Sequence, residues 1–282
     1  MGIQRPSIIY GVILTNLAKL VTKYLSTRPQ HERSPGIHAS EISSEYMCTR
    51  REVIRLAVNA AGLDSKPPIT PKSQGIFDVG HALHEWLRHE YLGPMGVLKG
   101  IWECQNCPDG KVHGYMPDTC PACGSVGHFK YEEIEVKIPE YGITGHIDGI
   151  VTLEGVDYIL DIKTHSTFTW KNLSDIKEGH KRQLNIYMRA YGIHKAICLY
   201  VCKDNMEMRS YIIDFDEDLF QTTLREGLYD LEQNFKDGIL PPMDARCKSG
   251  GWFRATCHVQ GLCLGCTDVD DVNNRIKAEV PW

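Results

Sequence analysis

The chain has 282 residues, of which 42% are hydrophobic, 9% aromatic and 24% charged, a balance that excludes a fibrous or largely disordered protein and suits one large domain with insertions or two small ones. Its net charge of −5, from 31 basic and 36 acidic residues, argues against a protein that coats DNA without excluding a local basic groove. Eleven cysteines, an odd number with no secretory leader before them, argue against a disulfide framework and for metal ligation in a reducing, cytoplasmic setting.

The apolar stretch Ile8–Leu25 is interrupted by Thr15, Asn16, Lys19, Thr22 and Lys23, too short and too polar to cross a bilayer, and reads as an amphipathic helix. With a polar, proline-containing linker it forms an N-terminal segment, residues 1–35, ahead of a domain over 36–282. Ser40 and the Ser43–Ser44 pair are candidate caps for a helix running through Cys48 to Ala61, which Gly62 ends. Prolines 67, 68 and 71 mark a loop, and a second helix is expected from Gln74 to Leu92, stopped by Gly93–Pro94. A Cys- and Gly-rich insertion over 102–128 is followed by β-type runs from Glu132 to Thr164 and a helix over 173–192. Strands at Ile197–Val201 and Met208–Phe215, a helix at Glu217–Asp237 and a loop-like, Cys-rich tail complete a mixed α/β pattern, with helices before and after a mainly antiparallel sheet.

Two segments carry chemistry by their spacing. Within the insertion, Cys104-x₂-Cys107 and Cys120-x₂-Cys123, separated by twelve residues, have the spacing of a Cys₄ zinc ribbon. Further on, β-rich runs flank the turn dipeptide Glu154–Gly155 and predict a hairpin. With a two-residue turn, Leu153 faces Val156, Asp148 falls opposite Asp161, and Lys163 shares their face, with His146 opposite it. Two opposed carboxylates repel unless a cation or a proton joins them, and oxygen ligands suit Mg²⁺ or Mn²⁺. A neighbouring lysine can orient or deprotonate a water and stabilise phosphate charge.

Gly145-x-x-Asp148 followed by Asp161-Ile162-Lys163 resembles the core of the PD-(D/E)XK nuclease superfamily. Gly80-x-x-x-His84 and Gln183-x-x-x-Tyr187 resemble the flanking motifs of its RecB-like branch, and the four stand in the branch's order. The resemblance implies a restriction-endonuclease-like central mixed sheet flanked by helices. It also implies His84, Asp148, Asp161 and the Ile162 carbonyl as ligands of Mg²⁺ or Mn²⁺, Lys163 acting on the attacking water, and Gln183 and Tyr187 bordering the site. His146 has no motif role and is a rival ligand from hairpin geometry alone, and Glu85 is expected at the surface.

Cys48, preceded by His38-Ala-Ser-Glu-Ile42, together with the C-terminal cysteines resembles the iron–sulfur subgroup of that branch, which includes CRISPR-associated and phage exonucleases. There, one early and three late cysteines hold a four-iron four-sulfur cluster. The order here, Cys247-x₉-Cys257-x₅-Cys263-x₂-Cys266, departs from the common spacing. Cys48, Cys247, Cys257 and Cys263 form the favoured set, with Cys266 the alternative third C-terminal ligand. Such a clamp would close a long chain loop. Cys198 and Cys202 read as core thiols. Arg50, Arg51, Arg55, Lys171, Lys177, Lys181 and Arg182 are candidate phosphate contacts or solvated faces, and Phe168 and Trp170 are candidate base-stacking or packing residues.

Two function classes follow: a metal-dependent DNA exonuclease of recombination, repair or phage replication, with a structure-specific endonuclease as its variant, or a non-catalytic DNA- or protein-binding module on a nuclease fold. The partners implied are single-stranded DNA or double-stranded ends and a recombination or replication protein, with no membrane.

Overall fold

In a computed structural model of the chain, the structure describes residues 17–27, 37–63, 69–248 and 250–278. The first part of the expected amphipathic helix, the linker, and Pro67 and Pro68 lie outside the described residues. The chain divides into two compact units, one drawn from Met1–Arg33 and Pro68–Ala82, the other from Ser34–Pro67 and Leu83–Trp282.

The elements in chain order are α1 (Leu17–Thr27), β1 (Ile37–His38), α2 (Ala39–Ile42), α3 (Thr49–Ala60), α4 (Pro71–Leu87), β2 (Leu98–Cys104), β3 (Lys111–Tyr115), β4 (Phe129–Glu132) and β5 (Ile134–Ile138). They continue with β6 (Ile143–Ile147), β7 (Gly149–Leu153), β8 (Val156–His165), α5 (Thr167–Trp170), α6 (Glu178–Tyr191), β9 (Lys195–Cys202) and β10 (Met208–Asp214). The helices α7 (Glu217–Leu224), α8 (Asp230–Lys236), α9 (Ala245–Lys248), α10 (Trp252–Ala255), α11 (Gln260–Gly265) and α12 (Val269–Lys277) complete the chain.

Among the described residues, the strands form a seven-stranded sheet in the order β10-β9-β8-β7-β2-β3, with β4 also paired to β2, and a three-stranded sheet β1-β6-β5. Most pairs are antiparallel, as expected, but β8–β9 and β1–β6 run parallel, so the sheets are mixed. The β7–β8 hairpin closes as predicted, with Leu153 opposite Val156. Its two turn residues, Glu154 and Gly155, both have positive φ (51° and 79°), the twist that suits a two-residue hairpin.

Strand alternation divides the core. Ile159 on β8 and Ala196, Cys198, Tyr200 and Cys202 on β9 face the side packed by α6 and α7, with Leu184, Met188, Phe220 and Leu224. Leu160 and Ile162 face the opposite side, with Leu98, Trp102, Phe129 and Val201. Asp161 and Lys163 therefore point toward the α6 side, by the two-residue period of the strand. Cys198 and Cys202 are fully buried there. A third core joins Val53, Ile54, Ala57 and Val58 of α3 to Leu262, Val269 and Val272 of α11 and α12.

Several expectations change. Ser43 follows α2 rather than capping α3, whose N-cap is Cys48. The second long helix begins at Pro71, a residue suited to a first helical turn, and ends in a π-helical turn over Arg88–Leu92. The C-terminal tail is a set of short helices, not a loop. The Cys-rich stretch over 102–128 is continuous with the sheet, contributing β3 and the end of β2.

Candidate active site and metal centres

Asp148 stands where the chain leaves the three-stranded sheet at Ile147 and enters the seven-stranded one at Gly149. This break overturns part of the hairpin reading. His146 pairs with Glu135 on β5 and is exposed, so it does not face Lys163 and is no rival ligand. The continuous β-type run hid the change of sheet. Asp148 still reaches the end of β8, where its Oδ2 accepts a 2.6 Å hydrogen bond from the Ile162 amide. The sequence reading gave Ile162 a carbonyl role; the contact observed is through its N–H.

The last turn of α4 brings His84 Nδ1 to 3.0 Å from Asp148 Oδ1. One turn on, the buried Arg88 Nη1 bridges Asp148 Oδ1 at 3.2 Å and Glu133 Oε1 at 2.9 Å. The His84, Glu133 and Asp148 ligand atoms lie within 4.8 Å of one another. Sequence reasoning missed both Glu133 and Arg88. Arg88 had a faint signal, four residues after His84 on one helical face; Glu133 is one of several acids near β5 and had none.

On the α6 side, Lys163 Nζ donates to Asp161 Oδ1 at 3.0 Å and to Gln183 Oε1 at 2.9 Å. Gln183 Nε2 then donates to the Tyr187 hydroxyl at 2.7 Å, across one helical turn. Gly145 explains why a glycine stands three residues before Asp148: a Cβ there would lie 2.7 Å from the Tyr187 ring. The residues of three motifs thus touch directly.

Asp148 and Asp161 are 7% and 4% exposed. Burial opposes ionisation of Asp148, but His84, the Ile162 amide and Arg88 together hold its carboxyl below the usual range. Burial, with the Asp148 charge beside it, pushes Asp161 up despite Lys163. Burial opposes charge on Lys163 as well, yet Asp161 and Asp148 keep its ammonium above the usual lysine range. Asp161 Oδ2 is buried and lies 3.0 Å from Lys163 Nζ, its ion-pair partner. The His84, Glu133 and Asp148 atoms are a donor set that fits a hard divalent cation, with the Asp161 carboxylate close enough to feel the Asp148 charge.

A cleft of about 240 Å³ opens beside Lys163 and Gln183, walled by Ser43, Ser44, Glu45, Tyr46, Lys177 and His180. His180 Nδ1 is 2.7 Å from the buried Tyr200 hydroxyl. Of the other basic candidates, Arg50 is buried and donates to backbone carbonyls, Arg182 pairs with Glu226 and Glu178, and Lys181 with Asp175. Trp170 is buried, with Arg209 over its ring at 4.3 Å, which makes it a packing residue; Phe168 is 80% exposed. Glu85 lies at the surface.

The thiols of Cys104, Cys107, Cys120 and Cys123 meet as one group that could hold a metal ion. Cys104 and Cys123 sulfurs are 3.7 Å apart, Cys107 and Cys120 sulfurs 3.6 Å. Gly110 closes this cradle, since a Cβ there would fall 2.5 Å from Cys120 Sγ and 2.9 Å from Cys107 Sγ. Burial and the facing thiols push Cys107 up to about 12, while the Ser125 hydroxyl and amide pull Cys123 down to about 6.

Cys48, Cys247, Cys257 and Cys263 neighbour one another but, unlike the ribbon thiols, do not meet as one compact metal-sized group. Burial, then the charges of Cys263 and Cys257, push the Cys247 thiol up, and Cys257 is raised by burial and by Cys263. Cys48 is raised by burial, with Cys247 among its neighbours. Cys266 instead neighbours Asp271, Arg275 and Arg50, within the helical core.

No protein-family model matches this sequence, and no curated protein matches it significantly. Among solved structures, it is similar to SSO0001 (19% identity, 87% of this chain and 94% of that one, TM-score 0.45). It is similar also to an alkaline exonuclease from Laribacter hongkongensis (15% identity, 76% and 93%, TM-score 0.44). A phage-related exonuclease from Haemophilus somnus is a further neighbour (12% identity, 73% and 95%, TM-score 0.41).

Proposed function

We propose that this protein is a divalent-metal-dependent deoxyribonuclease of the RecB-like PD-(D/E)XK type, degrading linear DNA from its ends. The observation that carries this reading is the grouping of the His84, Glu133 and Asp148 ligand atoms within 4.8 Å, with Asp161 and Lys163 on the adjoining β8 and Lys163 Nζ donating to Asp161 and Gln183. His84, Glu133, Asp148 and Asp161 would hold Mg²⁺ or Mn²⁺, with the Ile162 carbonyl as a further ligand. When bound, such an ion polarises a non-bridging phosphate oxygen and makes a water more acidic.

The chain's own groups do the rest. Lys163, held between Asp161 and Gln183, would act on the attacking water and face charge growing on the phosphate. Gln183, itself held by Tyr187, fixes the Lys163 ammonium. Arg88 offsets the negative charge shared by Asp148 and Glu133. The cleft beside Lys163, with its serine hydroxyls and Lys177, offers partners to a phosphate backbone.

The Cys104 group suits Zn²⁺: a tetrahedron with metal–sulfur bonds of about 2.3 Å has sulfur–sulfur edges of about 3.8 Å, close to the separations of 3.6 and 3.7 Å. Cys48, Cys247, Cys257 and Cys263 suit a four-iron four-sulfur cluster, with Cys266 left as a core thiol. No helix among the described residues is long and apolar enough to cross a membrane. A cytoplasmic role in recombination, repair or phage replication fits this chemistry.

The test is digestion of end-labelled linear DNA with Mg²⁺ or Mn²⁺, beside circular single-stranded DNA. Loss of linear DNA with the circle intact supports the reading. Cutting of the circle would assign an endonuclease, and no cutting of either would leave a binding module.

A further inference from the structure

The wall of the cleft between Ile42 and Cys48 has no regular secondary structure, yet its backbone is held at every step. Three successive carbonyls accept from guanidinium groups. Arg246 Nη1 donates to Glu45 O at 2.8 Å, Arg51 Nη2 to Tyr46 O at 3.2 Å, and Arg246 Nη2 to Met47 O at 2.8 Å. Arg246 is itself fixed, donating to Asp244 from Nε at 2.9 Å and from Nη2 at 2.7 Å, with its guanidinium 4.0 Å from the Phe253 ring centre. From the other side, the first turn of α6 presses on the same loop: a Cβ at Gly179 would lie 3.0 Å from both Glu45 N and Ser43 O.

The placement of these residues gives the contacts their meaning. Arg246 directly precedes Cys247, and Met47 directly precedes Cys48. A return tie runs from Arg50, which donates to the carbonyls of Pro241, Cys263 and Cys266 at 2.8, 2.9 and 2.7 Å. A planar guanidinium reaches two carbonyls at once, which a lysine cannot do with the same geometry. Loops that carry binding groups need such fixing, because their own backbone bonds do not supply it.

We infer that Arg246 is a positioning residue that couples the C-terminal cysteine segment to the cleft wall Ser43–Met47, and so sets how well the site engages a DNA end. This rests on the nuclease reading for its kinetic consequence but not for its structural one. Arg246's two hydrogen bonds tie the Cys247 segment to the Glu45 and Met47 carbonyls, which flank Tyr46 in the cleft wall, while the carboxylates and Lys163 sit on the sheet.

The experiment compares wild type, Arg246→Ala, Arg246→Lys and Asp244→Asn in the full-length, metal-loaded protein. Three readouts are taken: amide hydrogen exchange over 43–48, iron per chain, and KM and kcat on an end-labelled single-stranded oligonucleotide. Arg246→Ala is expected to speed exchange over 44–47 and to raise KM by about tenfold each, the loss of one or two net hydrogen bonds, with a smaller change in kcat and iron content held. Arg246→Lys is expected to fall between, and Asp244→Asn, which loosens the guanidinium without removing it, to give a milder shift in the same direction. Unchanged exchange in Arg246→Ala would overturn the coupling. So would equal loss of kcat and KM performance in step with iron, unrescued by lysine, which would make Arg246 a cluster-retention residue. If wild type cuts no DNA, the nuclease reading fails while the exchange readout still decides the coupling.

Discussion

Four thiols drawn from the twenty residues between Cys104 and Cys123 meet on a β-ribbon, with sulfurs 3.6 and 3.7 Å apart. Cys48, Cys247, Cys257 and Cys263, the proposed iron–sulfur ligands, come from opposite ends of the chain, in a region where α3 packs against α8, α11 and α12. The ribbon closes short loops, so a metal there organises local backbone and little else. On the proposed reading, a cluster on the terminal cysteines would close a loop of most of the domain, where the entropy at stake is larger. It would also stand next to the Arg50 and Arg246 ties, so its integrity would bear on the third core and on the cleft wall. Similar ligands would thus do different mechanical work according to the chain length between them, if both groups bind as proposed.

The sharpest way to break this contrast is Cys263→Ser. Loss of iron with a drop of about 3–5 kcal/mol in denaturant-derived stability is expected, the scale of removing a long-loop cross-link. A stability like that of wild type would place the terminal group outside the fold's support. Cys120→Ser comes next: zinc content falls to zero, the ribbon exchanges its amides quickly, and the main unfolding transition shifts by only about 1–2 kcal/mol. A collapse of the whole domain would make the ribbon a foundation rather than an edge. Cys266→Ser is expected to keep full iron content and to lose about 1 kcal/mol from the core it packs in; iron loss would make Cys266 a ligand.

The smallest effect is a pH control common to all these variants. Burial lowers His165 to about 4 and His180 to about 3, so the fold keeps both neutral. Their unfolded value is about 6.5. Below that the unfolded chain takes up protons the fold refuses, so their contribution is complete above pH 6.5 and is lost as pH falls toward the folded values. The acid slope of the denaturation midpoint is expected to flatten in His165→Asn/His180→Gln and to be unchanged in the three cysteine variants. An unflattened slope would remove the histidines from the core's pH response.

What could be read from the residues follows from how local each signal is. The Glu154–Gly155 turn and the alternation around it fixed the hairpin register, and Cys-x₂-Cys pairs announced the ribbon. The break at Asp148 was invisible because Thr144–Leu153 is uniformly β-type, though its two halves belong to different sheets. That is why His146 was misplaced. Glu133 and the buried role of Arg50 depend on contacts between distant segments, and single charged residues carry no spacing that reveals them. The short C-terminal helices have four to nine residues each, too few for a helical period to stand out among cysteines and glycines.

The most direct test of the central claim is the rate at which wild type and Lys163→Ala shorten end-labelled linear DNA in Mg²⁺ or Mn²⁺, with folding of the variant checked by its unfolding midpoint. The expected result is metal-dependent loss of label by wild type and a fall of about a thousandfold or more in the folded variant, the scale of removing a preorganised charge from the reacting phosphate. Undiminished degradation by folded Lys163→Ala would contradict the assignment of this site.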